Sequence, residues 1–167
     1  KKNYIGGGED SYCFLCEDFV RDKDAVSACA ILAEIAAWAK DQGITMYQLL
    51  QNIYVQYGFS KEKGISVVKK GKSGAEEIEA MMKHFRENPL QEIAGSKVTL
   101  FYDYASLKGK DYVENETLTL DMPTTSNVLQ YFTEDGTKVS IRPSGTEPKI
   151  NFYCEVHSKL KSLDELP

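Results

Sequence analysis

Between residues 24 and 40 the apolar positions Val26, Cys29, Ile31, Leu32, Ile35, Ala36 and Ala39 recur at helical spacing. That period predicts a helix with its apolar side, Cys29 included, turned into a core. Asp22 or Asp24 is placed to cap its start, and Gly43 to end it. A second helix is expected to open at Thr45, carry Leu49, Leu50, Ile53, Tyr54 and Tyr57 on one face, and stop at Gly58. The apolar and aromatic stripe of both helices reads as core. Ahead of them, residues 12–16 read as a short buried strand. Residues 59–72 are rich in lysine and glycine, with a short strand expected only at 65–68, and the domain boundary is placed there. Ser73-Gly74-Ala75-Glu76 then fits a capping box at the start of a third helix. That helix should bury Ile78, Met81, Met82 and Phe85 and end at Asn88-Pro89.

Beyond Pro89 the period changes to two. Val98, Leu100, Tyr102 and Tyr104 alternate with residues facing the other way, and further strands are expected at 117–120 and 128–132. Asp135-Gly136 is a hairpin signal. Val139 and Ile141 lie on the return strand, and residues 150–156 pair back after it. The fold class expected is an α/β piece over residues 1–60, followed by an α+β domain over 61–167 with a helix packed on a mostly antiparallel sheet.

With 167 residues, 42% of them hydrophobic and 27% charged, the chain is globular rather than disordered. A net charge of −5 argues against nucleic acid or a membrane surface as the main partner. No apolar run is long enough to span a bilayer, and no signal-peptide pattern is present. Cys13 and Cys16 form a single Cys-x-x-Cys with no second pair to complete a zinc site, while His84 and His157 lie far apart. A reduced, cytoplasmic protein is the simplest account of the four cysteines.

Three short stretches carry candidate chemistry. Arg142-Pro143-Ser144-Gly145-Thr146-Glu147-Pro148 packs a fixed cation, two hydroxyls and a glycine between two prolines, directly after an alternating strand. A guanidinium holds a phosphate bidentately, hydroxyls add directional donors, and a glycine lets backbone N–H groups approach an anion. The same residues also fit an ordinary polar turn. Gly6-Gly7-Gly8-Glu9-Asp10-Ser11-Tyr12 combines backbone freedom with Glu9, an acceptor for two adjacent hydroxyls, and Ser11, which donates and accepts. It also fits a solvated glycine turn. Arg21-Asp22-Lys23-Asp24 is a charge run that fits a solvated helix start.

In their order and spacing the three stretches resemble the α-D-phosphohexomutase family, the phosphoglucomutases and phosphomannomutases, over most of the chain. The resemblance implies the end of the family's third domain followed by its fourth, a TATA-binding-protein-like fold. It implies that Glu9 and Ser11 bind the sugar, and that Arg142, Ser144, Gly145 and Thr146 bind phosphate, with Lys149 as a supplementary cation. Lys23 falls where the family places a lysine touching the reacting hydroxyl or phosphate, which a lowered pKa would suit to proton transfer. The family's phosphoserine and magnesium loops are absent from these residues, so the chain is expected to be a C-terminal fragment, inactive alone. Mg²⁺, a glucose 1,6-bisphosphate-type activator, a hexose phosphate substrate and upstream domains of the same polypeptide are implied for the parent.

Departures from the family pattern stand at Asn151, where many members have a basic residue, at Ala25 after Lys23-Asp24, and at Cys13 after Tyr12. The family's closing helix is not apparent before Leu166-Pro167. From another functional class, a non-catalytic module binding phosphate or a phosphosugar also accounts for the loops.

Overall fold

The computed structural model describes residues 4, 6–8, 14–15, 24–69 and 71–166, apart from the side chain of residue 72. The chain divides into two compact units, Lys1–Tyr57 with Leu160–Pro167, and Gly58–Lys159.

In the first unit, two short antiparallel strands, β1 (Gly7–Gly8) and β2 (Phe14–Leu15), precede helices α1 (Ala25–Asp41) and α2 (Met46–Tyr57). The helix ends follow from local chemistry. The Asp24 carboxylate accepts the Val26 and Ser27 N–H groups, both at 3.0 Å, and these bonds hold its pKa below the usual value. Gly43 ends α1 at φ +72°, where the Ile44 N–H reaches back to the Ala39 carbonyl at 3.0 Å. A reciprocal capping box forms at α2. The Gln48 N–H donates to Thr45 Oγ1 at 3.1 Å, and the Thr45 N–H donates to Gln48 Oε1 at 2.8 Å. Residues 163–165 form one 3₁₀ turn, Leu163–Glu165.

The stripe expected to be core is mostly open in this unit. Only Ala28 and Ala39 of α1 are buried, while Val26, Leu32, Trp38, Leu50, Ile53 and Tyr57 are exposed. Cys29 is also exposed, against the expectation of a buried thiol. Among the described residues of this unit, two two-residue strands and one 3₁₀ turn supply too little apolar surface to cover two amphipathic helices.

The second unit is a sheet with one helix on it. Its elements are β3 (Phe59–Val68), α3 (Gly71–Glu87), β4 (Glu92–Ile93), β5 (Ser96–Asp103), β6 (Lys108–Asp111), β7 (Glu116–Thr119), β8 (Leu129–Thr133), β9 (Lys138–Pro143) and β10 (Lys149–Ser158). Strand order is β3-β10-β9-β8-β5-β6-β7, with β4 on β5, and every pairing is antiparallel. Ile78 and Met82 of α3 pack on Val98, Phe101, Leu129, Tyr131, Val139, Ile141 and Ile150, with Met81 and Phe85 at the margin. Each fully buried side chain of this size contributes about 1.5–3 kcal/mol. Tyr131 keeps its hydroxyl satisfied in this core by donating to the Phe85 carbonyl at 2.9 Å, and burial pushes its pKa up to about 12.

Strands β4 and β6 have no counterpart in the sequence reading, and three further details differ from it. Helix α3 starts at Gly71, so Ser73 lies inside its first turn and the capping box belongs to Thr45 and Gln48 instead. Strand β3 runs for ten residues, because all of them, including the lysines, pair with β10. In β5 the register shifts between Val98 and Leu100. That bulge sends Val98, Phe101 and Asp103 to the helix side and leaves Leu100 and Tyr102 on the other.

Candidate functional site

The hairpin β9–β10 delivers the candidate anion loop. Residues 139 and 141 of β9 are buried against α3, so Arg142, one step on, faces away from the helix. Arg142 is exposed, and among the described residues its guanidinium makes no ion pair or hydrogen bond. Its register partner is Asn151, whose Oδ1 accepts the Ser66 hydroxyl at 2.7 Å. Asn151 thus presents an amide already engaged by β3.

Backbone bonds fix the loop at both ends. The Ser144 N–H donates to the Lys149 carbonyl, the Lys149 N–H to the Glu147 carbonyl and the Lys69 N–H to the Pro148 carbonyl, each at 2.8 Å. Inside the turn, Ser144 Oγ accepts the N–H groups of Thr146 at 3.4 Å and Glu147 at 3.3 Å. These are long bonds, and they leave the Ser144 hydroxyl proton free to donate outward. Gly145 is exposed, its φ lies outside the left-handed region, and a Cβ built on it would meet nothing within 4 Å. The fold itself does not require glycine there.

Lys149 Nζ contacts Glu147 Oε2 at 2.7 Å. The pair raises the pKa of Lys149 and lowers that of Glu147, the hydrogen bond between them being the larger cause in both. Behind the loop, a cleft of about 310 Å³ opens between it and α3, with Ala75, Ile78 and Met82 on one side and Pro143, Ser144 and Glu147 on the other. Arg142 at the end of β9 and Lys149 at the start of β10 thus flank the turn that carries Ser144, Gly145 and Thr146.

The other candidates, Glu9, Ser11 and Lys23, lie outside the described residues, as do Cys13 and Cys16. Of Gly6 and Gly7 near them, Gly6 is the more tightly enclosed. A Cβ on Gly6 would come to 3.0 Å of the Phe14 ring and 3.3 Å of the Leu15 carbonyl, and one on Gly7 to 3.1 Å of the Tyr4 hydroxyl. Among the described residues, no group of three or more His, Cys, Asp or Glu side chains could hold a metal ion.

Two features near the loop escaped the sequence reading. The Arg86–Asp103 ion pair behind it joins residues on a helix and a strand, a placement no local motif announces. The engagement of Lys149 by Glu147 was foreshadowed only by their i, i+2 spacing. No described helix is long and apolar enough to cross a membrane.

Comparison with known proteins bears on both units. Residues 66–166 match the family model described as the phosphoglucomutase/phosphomannomutase C-terminal domain, and residues 1–57 match alpha/beta/alpha domain III of the same family. A phosphoglucomutase of Staphylococcus aureus strain MRSA252 is 40% identical over 155 residues, covering 93% of this chain and 28% of the relative. A phosphoglucomutase of Staphylococcus haemolyticus is 34% identical over 156 residues, with the same two shares. The chain thus spans less than a third of the length of these curated relatives. Among solved structures, the open form of parafusin from Paramecium, an exocytosis-sensitive phosphoprotein titled a phosphoglucomutase, superposes with a TM-score of 0.57 at 18% identity. That match covers 98% of this chain and 27% of the other, and it bears on the fold alone.

Proposed function

Because the chain belongs to the phosphoglucomutase/phosphomannomutase family, we propose that it is the substrate-binding C-terminal part of a phosphohexomutase. The parent interconverts hexose 1-phosphate and hexose 6-phosphate through a phosphoserine enzyme and a bisphosphate intermediate, with Mg²⁺ held elsewhere in the polypeptide. In this reading residues 1–60 are the end of the third domain and residues 61–167 the fourth. The partners are a hexose phosphate, a glucose 1,6-bisphosphate-type activator and the upstream domains, and the compartment is the cytoplasm.

The observation that carries the reading is the guanidinium of Arg142, unengaged among the described residues, beside a turn whose ends are pinned. A cation left without a partner at the mouth of a fixed turn is preorganised for an anion. Ser144, with its hydroxyl proton free, and Thr146 add neutral donors, and each hydrogen bond to a charged phosphate is worth about 1.5–3 kcal/mol. Gly145, where the fold imposes no need for glycine, leaves room for a phosphate oxygen to approach the backbone. The role assigned to this clamp is to hold the phosphate that is not reacting. Binding energy from that remote group orients the far end of the sugar for phosphoryl transfer. Glu9 and Ser11 are assigned to the ring hydroxyls, and Lys23 to contact with the reacting end or to proton transfer there.

The test is titration of the 167-residue chain with glucose 1-phosphate, followed by amide chemical shifts of residues 144–149. Saturable, weak binding that Arg142→Ala abolishes is expected. Binding that survives Arg142→Ala unchanged would remove the clamp from the proposal.

A further inference from the structure

The clamp contains an acid. Glu147 is the one carboxylate between Arg142 and Lys149, and it lies inside the stretch that the reading above assigns to an anion. Its side chain is not turned away. Glu147 Oε2 meets Lys149 Nζ at 2.7 Å, while Arg142 has no partner among the described residues. Lys149 and Asn151 are two apart on β10, and Asn151 pairs with Arg142, so Lys149 stands on the same sheet face as the guanidinium. In this conformation one of the two cations on that face is free and the other is held.

We propose that Glu147 gates Lys149: its carboxylate holds the ammonium while the loop is empty and yields it to an entering phosphate. The inference rests on the phosphate-clamp reading above and adds a residue with a role of its own. The exchange is feasible because of where the pair sits. Glu147 is more than half exposed, so its freed carboxylate returns to water at little cost. The backbone does not need to move, since the bonds pinning residues 144, 148 and 149 are main-chain bonds independent of either side chain. Lys149 has three N–H donors on a flexible stem and can swing from one oxyanion to another.

The gate loosens the grip in two ways. Phosphate must displace a partner that is already bound, and a negative charge stays beside the bound dianion. A clamp that must release the sugar phosphate between half-reactions gains from such a loosened grip, because release often limits turnover.

Glu147 is a positioning residue in this scheme, and its test is a double-mutant cycle with Lys149. The wild-type chain, Arg142→Ala, Glu147→Gln, Lys149→Ala and the Glu147→Gln/Lys149→Ala pair are titrated with inorganic phosphate at fixed ionic strength. Amide chemical shifts report binding and thermal melts confirm folding. Glu147→Gln is expected to bind phosphate about two- to fivefold tighter, the range an exposed ion pair of this kind spans. That gain should shrink in the Lys149→Ala background to the part due to the neighbouring negative charge alone, a coupling that a merely structural role for Glu147 would not produce. Equal or weaker binding by Glu147→Gln, or a gain of undiminished size without Lys149, overturns the gate. Wild-type binding that ignores Arg142→Ala overturns the clamp itself, and the gate with it, so the two failures are told apart by the Arg142 variant.

Discussion

Asp103 at the end of β5 is a buried carboxylate of the second unit. It is 5% exposed, yet it accepts from Arg86 Nε at 3.1 Å, from the Ser106 hydroxyl at 2.7 Å and from the Ala105 N–H at 3.1 Å. Arg86 reaches it from α3 and also donates to Asn127 Oδ1 at 2.8 Å. Asn127 in turn lines the cleft shared with Ser144 and Pro143. Arg86→Leu keeps most of the apolar volume and removes the cation. Asp103 would retain its two local donors but lose its counter-charge. One-sided loss of a fully buried pair costs about 3–5 kcal/mol, and loss of a single charged hydrogen bond about 1.5–3 kcal/mol. Because the Arg86 side chain is 31% exposed, water can enter and the lower range applies, giving about 2 kcal/mol. For a unit of about 100 residues that lowers Tm by roughly 10 °C. Differential scanning calorimetry reads the shift, and Asp103→Asn in the Arg86→Leu background should recover part of it by removing the stranded charge. A Tm within about 2 °C of wild type would refute the account, as would strictly additive losses in the pair.

Two other perturbations test the sheet. A Cβ on Gly109 would stand 2.7 Å from Cδ1 of Tyr102 and 3.1 Å from the Phe101 carbonyl, and Tyr102 is flanked by Phe132 at a ring separation of 5.3 Å. Gly109→Ala should therefore destabilise by about 1–3 kcal/mol in chemical denaturation, despite the usual gain from replacing glycine; a more stable variant would show that the ring has room to shift. Tyr131 titrates near 12 when folded and near its ordinary 10 when unfolded, so the fold favours its neutral form. That stabilisation is complete below pH 10 and is lost as pH rises through 12. Tyr131→Phe should flatten the alkaline limb of the stability profile while costing about 1 kcal/mol at neutral pH for the bond to Phe85; an unchanged alkaline limb would contradict the assignment.

Sequence pattern was legible where one residue decides the local geometry. Asp24, Gly43 and Asp135-Gly136 mark ends and turns because caps and left-handed positions admit few side chains, and each does its part in the structure. Faces were harder. The bulge after Val98 breaks the alternation in β5, so a period read straight through assigns Leu100 and Tyr102 to the wrong side. Strand β3 was seen only where it is apolar, since its pairing with β10 is made by the backbone and is indifferent to Lys61, Glu62 and Lys63. Cys29 and its stripe illustrate the converse: helical period announces an apolar face but not whether anything covers it. At the candidate site the residues 142–149 fall together in the structure because they are contiguous in the chain. The Glu147–Lys149 contact was not legible, because ion pairing depends on rotamers that spacing leaves open.

The loop of residues 144–148 joins two strands that each have a second neighbour, β8 beside β9 and β3 beside β10. Alignment of either strand is thus secured from its outer side, without help from the connection between them. The connecting segment can consequently be treated as an exchangeable cassette. Residues could be inserted, deleted or randomised across it, and the flanking pairs, such as Leu129 with Ile141 and Ile65 with Phe152, would stay in step. Sequence change at this one crest of the sheet would then leave the interior beneath it undisturbed.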